Sequence, residues 1–209
     1  MSASQGIPWV TFRIGEQEPP KAARDWGEAY GTKVGDTMAP HVVTKSMQAD
    51  RMITIAGLTS VDVFCDLGCG DGSLLFYIAK ACGCRCIGVD VNADLISQAN
   101  QNSLEEKLPS DVLFVEDAIE NMFASPLLDS VTVIFVYLVP NQLAHLGPQL
   151  LKWIQQPPVV GATRRIVSSR YAIHGFAPQF LQDELASEPC SEDSYMKSTG
   201  SLFLYVNPA

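Results

Sequence analysis

No segment of this 209-residue chain is long and apolar enough to cross a bilayer. Its longest apolar run, Val131 to Val139, falls far short of the roughly 20 residues a membrane helix needs. A signal peptide is missing too, since Met1 to Val10 has neither a basic start nor an apolar stretch. The expectation is a soluble, intracellular, cytoplasmic protein with no membrane span. Charge is scarce, at 18% of residues, and leans negative, with a formal net charge of −9. That balance offers no broad basic surface for tracking a phosphate backbone, so nucleic acid is disfavoured as a partner. A basic partner would suit it better. Internal repeats and charge runs are absent, and the three histidines, His41, His145 and His174, are scattered.

Apolar residues, in contrast, make up 47% of the chain, and its length suits one domain with a substantial core. Six cysteines raise the question of disulfides or metal. Cys82, Cys84 and Cys86 form a C-x-C-x-C run, and in a strand Cys84 and Cys86 would share a face. A structural zinc site needs a full tetrahedral ligand set, often from two cysteine pairs, and the chain holds no second cluster. Reduced, packed thiols without metal are therefore expected.

Residues 1–36 form an N-terminal arm rich in Gly and Pro. Trp9, Phe12, Trp26 and Tyr30 make it too aromatic for a disordered tail, so part of it should pack on the domain formed by residues 37–209. A first helix should open near Pro40, with an apolar stripe of Val42, Ala49, Ile53 and Ala56, and close at Gly57. Apolar strand-like runs then alternate with helical patterns. Val61 to Leu67 reads as a strand, followed by a helix over Ser73 to Ala81 stopped at Gly83. Arg85 to Val91 is a second strand, and the helix after it carries Leu95, Ile96, Ala99 and Leu104. Val112 to Val115 and Val131 to Val139 are the third and fourth strands. Leu143, Leu146, Leu150 and Ile154 recur at helical spacing, with Pro148 placed to break or restart that helix. Arg165 to Tyr171 and Leu202 to Val206 complete the strands, the last able to pair antiparallel at one edge. Continuous apolar strands alternating with helices predict a doubly wound α/β fold, a mostly parallel sheet covered on both faces.

The chemistry concentrates in Val63-Phe-Cys-Asp-Leu-Gly-Cys-Gly-Asp-Gly-Ser73. A strand enters a turn with Gly68, Gly70 and Gly72, and a helix begins just beyond. Glycines permit left-handed backbone and close approach of a ligand, and the helix start offers free N–H groups. Such a turn alone would also serve a nucleotide. Asp66 sharpens it: a carboxylate ahead of the first glycine repels a pyrophosphate but suits a ligand with an ammonium and a sulfonium. Asp90, at the tip of the second strand in Ile87-Gly-Val-Asp-Val-Asn92, can accept from ribose hydroxyls. Asp117, after the third strand, can accept from an adenine amino group. Three acids at successive strand ends fit one adenosyl ligand; the plainer reading is three solvated acids at loop starts.

Through Asp66-Leu-Gly-Cys-Gly-Asp-Gly72 and Gly88-Val-Asp-Val-Asn92 the chain resembles the class I S-adenosylmethionine-dependent methyltransferases. The resemblance implies a seven-stranded Rossmann-like sheet and S-adenosylmethionine as cofactor. It places the methionine moiety around Asp66, Gly68 and Gly70, ribose at Asp90, and adenine near Asp117 and Ala118, with Leu67, Val91 and Asn92 also at the cofactor. Val136-Tyr-Leu-Val-Pro-Asn141, Leu146-Gly-Pro-Gln-Leu150, Ser169-Arg-Tyr-Ala-Ile-His-Gly-Phe-Ala-Pro178 and Ala39-Pro-His-Val-Val43 look like a group of archaeal, bacterial and eukaryotic protein lysine methyltransferases. Eukaryotic members act on mitochondrial membrane proteins, which adds the mitochondrion as an alternative location. This chain lacks their N-terminal hydrophobic segment. The resemblance implies a protein substrate, with lysine as the methyl acceptor.

Methyl transfer is an in-line displacement, so alignment of the nucleophile supplies much of the rate. A lysine amine must first lose a proton, and desolvation in an apolar pocket eases that. Tyr137 to Asn141 should lie where the methyl group sits, with Tyr137 as an aromatic wall or, more plainly, a packed strand-end tyrosine. His174 lines the pocket or sits in a surface loop. No residue stands out as general base. Methylation of a small molecule or nucleic acid, and a non-catalytic cofactor-binding scaffold, are the competing readings; no Asn-Pro-Pro-Tyr-like base-methylation motif follows the fourth strand.

Overall fold

The structure is a computed structural model that describes residues 46–108, 110–157, 162–173, 175, 180–182 and 201–206. The N-terminal arm, the start of the first helix near Pro40 with its Val42, and His174 lie outside the described residues. The elements run α1 (Ser46–Ala56), β1 (Val63–Leu67), α2 (Ser73–Cys82), β2 (Arg85–Asp90), α3 (Ala93–Glu105), β3 (Val112–Glu116), α4 (Ile119–Met122), β4 (Val133–Val136), α5 (Pro140–Ile154), β5 (Arg165–Ser169), β6 (Phe180–Gln182) and β7 (Leu202–Val206). A short 3-10 turn over Pro126–Ser130 precedes β4.

Among the described residues these strands form one seven-stranded sheet in the order β3-β2-β1-β4-β5-β7-β6. β1 pairs in parallel with β2 and β4, β2 with β3, and β4 with β5. β7 runs antiparallel to both β5 and β6. Leu202–Val206 is therefore antiparallel as expected but not at the edge, which belongs to Phe180–Gln182. The strand order reverses between β1 and β4, and open α/β sheets bind ligands at the carboxyl ends of strands at such a point.

The apolar pattern explains the layers. One face of the sheet (Phe64, Phe135, Val167) packs under Ala49, Met52 and Ala56 of α1, Leu75 and Ile78 of α2, and Ile96 and Ala99 of α3. The other (Cys65, Ile134, Ile166) packs under Met122 of α4 and Leu143, Leu146, Leu150 and Trp153 of α5. β1 is buried along its whole length, as a central parallel strand covered on both faces must be. Of the apolar residues that α3 carries, Ile96 and Ala99 are buried and Leu104 points to solvent near the end of the helix. Pro148 does not break α5, which runs unbroken from Pro140 to Ile154. The amide that Pro148 lacks would have bonded the Ala144 carbonyl, and both residues lie on the exposed side, where water can take that carbonyl. Gly83 closes α2 with left-handed backbone (φ 69°), its N–H donating to the Ala79 carbonyl.

At the amino ends of the strands, Asp62 is the knot. Its carboxylate accepts from the Thr59 N–H (2.9 Å) and the Thr132 hydroxyl (2.7 Å), and pairs with the Arg165 guanidinium. Arg165 also donates to the Ala56 carbonyl at 2.6 Å, so one buried cluster ties α1, β1, β4 and β5 together. Among the described residues no helix is long and apolar enough to cross a membrane.

Candidate active site

The opposite end of the sheet holds the turn after β1. Gly68, Gly70 and Gly72 all have positive φ (96°, 56° and 75°), which a side chain would resist. The N–H groups of Gly68 and Cys69 both donate to the Val89 carbonyl, at 2.8 and 3.0 Å, folding the turn over β2. Gly88, beneath it, has no room for a side chain: a Cβ there would come within 2.5 Å of Leu75 and 2.8 Å of the Cys69 sulfur. The glycine on β2 thus lets the turn settle.

Asp90 sits at the end of β2 and grips this turn. Its Oδ2 accepts from the Gly70 N–H and its Oδ1 from the Asn92 N–H, both at 2.9 Å. Each carboxylate oxygen keeps further acceptor capacity for a ligand hydroxyl. Asp66 lies inside β1 between Gly88 and Phe135, only 4% exposed. Burial first, and then the negative charge of Asp90, push its carboxyl up to about 8. Two carboxylates close enough to repel, at the mouth of a glycine turn, make a site that a cation completes.

Asp117 joins them through the backbone, its N–H donating to the Asp90 carbonyl at 3.1 Å. Its Oδ1 accepts from the Ala118 N–H (2.7 Å) and the Asn121 amide (2.6 Å), which orients the carboxylate at the start of α4. The three acids read from the sequence are therefore assembled at one end of the sheet. Leu67, Asn92 and Val91 contribute differently from one another. The Leu67 side chain is fully buried, so only its main chain can face a ligand. The Asn92 side chain caps α3, accepting from the Asp94 and Leu95 N–H groups. Val91 is 54% exposed, an apolar surface beside Asp90.

Beyond β4 the strand's end turns into α5. Leu138 is buried, its side chain 3.5 Å from where a Cβ on Gly68 would stand, so this loop walls the glycine turn. Tyr137 is half-buried against the core face that holds Phe135, and its hydroxyl accepts from the Arg170 guanidinium at 3.3 Å. Arg170 stands in the Ser169-Arg-Tyr stretch, where nothing local in the sequence gives it a role. Only the parallel pairing of β4 and β5 brings it beside Tyr137.

The family model for the ANTKMT methyltransferase domain matches residues 66–180, more than half of the chain. The chain belongs to this family. A protein-lysine N-methyltransferase of Saccharolobus islandicus is 28% identical over 141 residues, which cover 67% of this chain and 81% of that protein. A histone-lysine N-methyltransferase, H3 lysine-79 specific, of Dictyostelium discoideum is 58% identical over 40 residues, only 18% of this chain and 2% of that protein. Among solved structures, an RNA methyltransferase from Salinibacter ruber in complex with S-adenosyl-L-homocysteine is 25% identical with a TM-score of 0.64, covering 80% of this chain and 94% of that one. This ANTKMT-family chain is a class I methyltransferase that uses S-adenosylmethionine as its methyl donor.

Proposed function

We propose that the protein is a protein-lysine N-methyltransferase whose donor lies across the three acids and whose acceptor amine meets it at Tyr137. The observation that carries the choice of acceptor is the likeness to the Saccharolobus islandicus lysine methyltransferase, which runs through most of both chains. The absence of excess positive charge (net −9) agrees with a protein acceptor over RNA.

S-adenosylmethionine supplies a methyl group activated by a sulfonium. In this reading Asp66 and the Gly68–Gly70 turn hold its methionine end, and the acidic pair Asp66/Asp90 fits its positive charges. Asp90 accepts from the ribose hydroxyls. Asp117 and the Ala118 main chain meet the adenine, with Val91 against its face. Leu67 and Asn92 offer main-chain groups, since one side chain is in the core and the other is a helix cap. Tyr137 borders the acceptor channel. The acceptor nitrogen, once neutral, would be held in line with the methyl group that the bound cofactor would supply. The lysine proton leaves to solvent. The half-buried wall of Tyr137 and Leu138 strips water from the amine and so favours its neutral form.

RNA is the second reading, favoured by the likeness to the Salinibacter ruber RNA methyltransferase, which spans most of both chains. Incubation with methyl-labelled cofactor and a cell extract separates the two. A labelled protein band supports the proposal; label confined to RNA or to small molecules contradicts it.

A further inference from the structure

We infer that Arg170 is a positioning residue for the acceptor side of the site, acting through the hydroxyl of Tyr137; this rests on the acceptor reading just given. Val136 of β4 stands opposite Ser168 of β5, so Tyr137 and Arg170 leave the carboxyl ends of adjacent strands side by side. Among the described residues Arg170 is the one non-glycine with positive φ, at 73°. Side chains resist that conformation, and it persists where the surroundings fix it, often at functional sites.

The surroundings here do fix it. The Arg170 N–H donates to the Ser201 carbonyl at 2.7 Å, just ahead of β7. Ser169, buried before it, accepts from the Gln48 amide of α1 at 2.6 Å. Ser168 donates to the Tyr171 carbonyl, also at 2.6 Å, closing the turn from below. From this clamp the guanidinium Nη1 reaches the Tyr137 oxygen at 3.3 Å.

A donor from Arg170 occupies one lone pair of the phenol oxygen and fixes the ring at its polar end, while the apolar edge packs on the core. The remaining acceptor capacity can take an N–H of the incoming amine, leaving the amine lone pair to the methyl carbon. Misplacement of a nucleophile by about 1 Å costs on the order of a hundredfold in rate, so a loosened ring should be felt in turnover.

The test is a double-mutant cycle of Tyr137→Phe and Arg170→Ala, with Arg170→Lys as the conservative variant. Single changes should each lower kcat on the order of tenfold with the Kd for S-adenosylmethionine unchanged, and the double variant should be no worse than Tyr137→Phe. Arg170→Lys, which keeps a donor, should recover part of the loss. Losses that multiply, or a Kd that rises as far as kcat falls, overturn the inference. With 13C-labelled tyrosine, the ring signal absent in Tyr137→Phe should move in Arg170→Ala without any substrate, and an unmoved signal also overturns it. If the signal moves and the cycle couples with RNA as acceptor, the lysine reading falls and the role of Arg170 stands.

Discussion

Asp90 has two duties, and its substitution should show both. It anchors Gly70 and Asn92 in the ligand-free chain and accepts from ribose in the proposed complex. Removing a charged acceptor costs roughly 1.5–3 kcal/mol, so Asp90→Ala should weaken S-adenosylmethionine binding at least on the order of tenfold with the fold retained. Calorimetry with circular dichroism on the same sample checks this, and unchanged binding would remove the ribose assignment. Asp66 gives a pH signature. Its carboxyl holds a proton up to about 8 in the folded chain, against 3.8 when unperturbed. Between those values the folded state binds more protons than the unfolded one. The group's contribution is therefore fully present at low pH and lost as pH rises through that window. Asp66→Asn, which cannot ionise, should gain thermal stability relative to wild type between about pH 5 and pH 8 in ligand-free melts. A constant difference across that range would contradict the raised value. The sequence showed these acids as strand-end residues because the parallel-sheet pattern fixes where each strand stops. It could not show the engagement of the Asn92 side chain or the contact to Arg170, which depend on loop geometry and on pairing between strands distant in the chain.

Elements carry the next set of consequences. The glycine turn and β2 fit because Gly88 has no side chain, so Gly88→Ala should force Leu75 and Cys69 aside. Overpacking of this kind costs about 1–3 kcal/mol, and the shift of the turn should lower cofactor affinity in the same variant. Urea unfolding beside a binding titration reads both; a loss in neither would mean the turn can move freely. At the other end of the sheet, Arg165→Met leaves Asp62 buried without its cation, at a cost of about 3 kcal/mol. Because that cluster is remote from the site, the surviving folded protein should bind cofactor normally. Six of the seven strands were legible as apolar runs. The resemblance implied a seventh strand but not its place, and Phe180–Gln182 went unread because three residues carry too little periodicity. Pro148 misled for a related reason: its exposure, which makes it tolerable in α5, is a property of tertiary packing.

At the scale of the whole molecule, the sheet separates two jobs: a buried polar knot at the amino ends of the strands and an acidic, glycine-lined mouth at the carboxyl ends. The cysteine run belongs to the first half. Burial pushes the Cys82 thiol up to about 11, and the hydrogen bond that Cys86 donates to Cys84, together with burial, pushes Cys86 up further while lowering Cys84. With Cys82 and Cys86 held protonated and no second ligand cluster in the sequence, protein purified without added metal should contain no stoichiometric zinc, as elemental analysis can show. The central claim, lysine as the acceptor, is tested most directly by hydrolysing the material labelled by this enzyme in a cell extract and identifying the labelled residue. The account predicts that the label is recovered as N-methylated lysine from protein and that Asp90→Ala abolishes most of it. Recovery of the label in methylated nucleosides, with none in lysine, would contradict it.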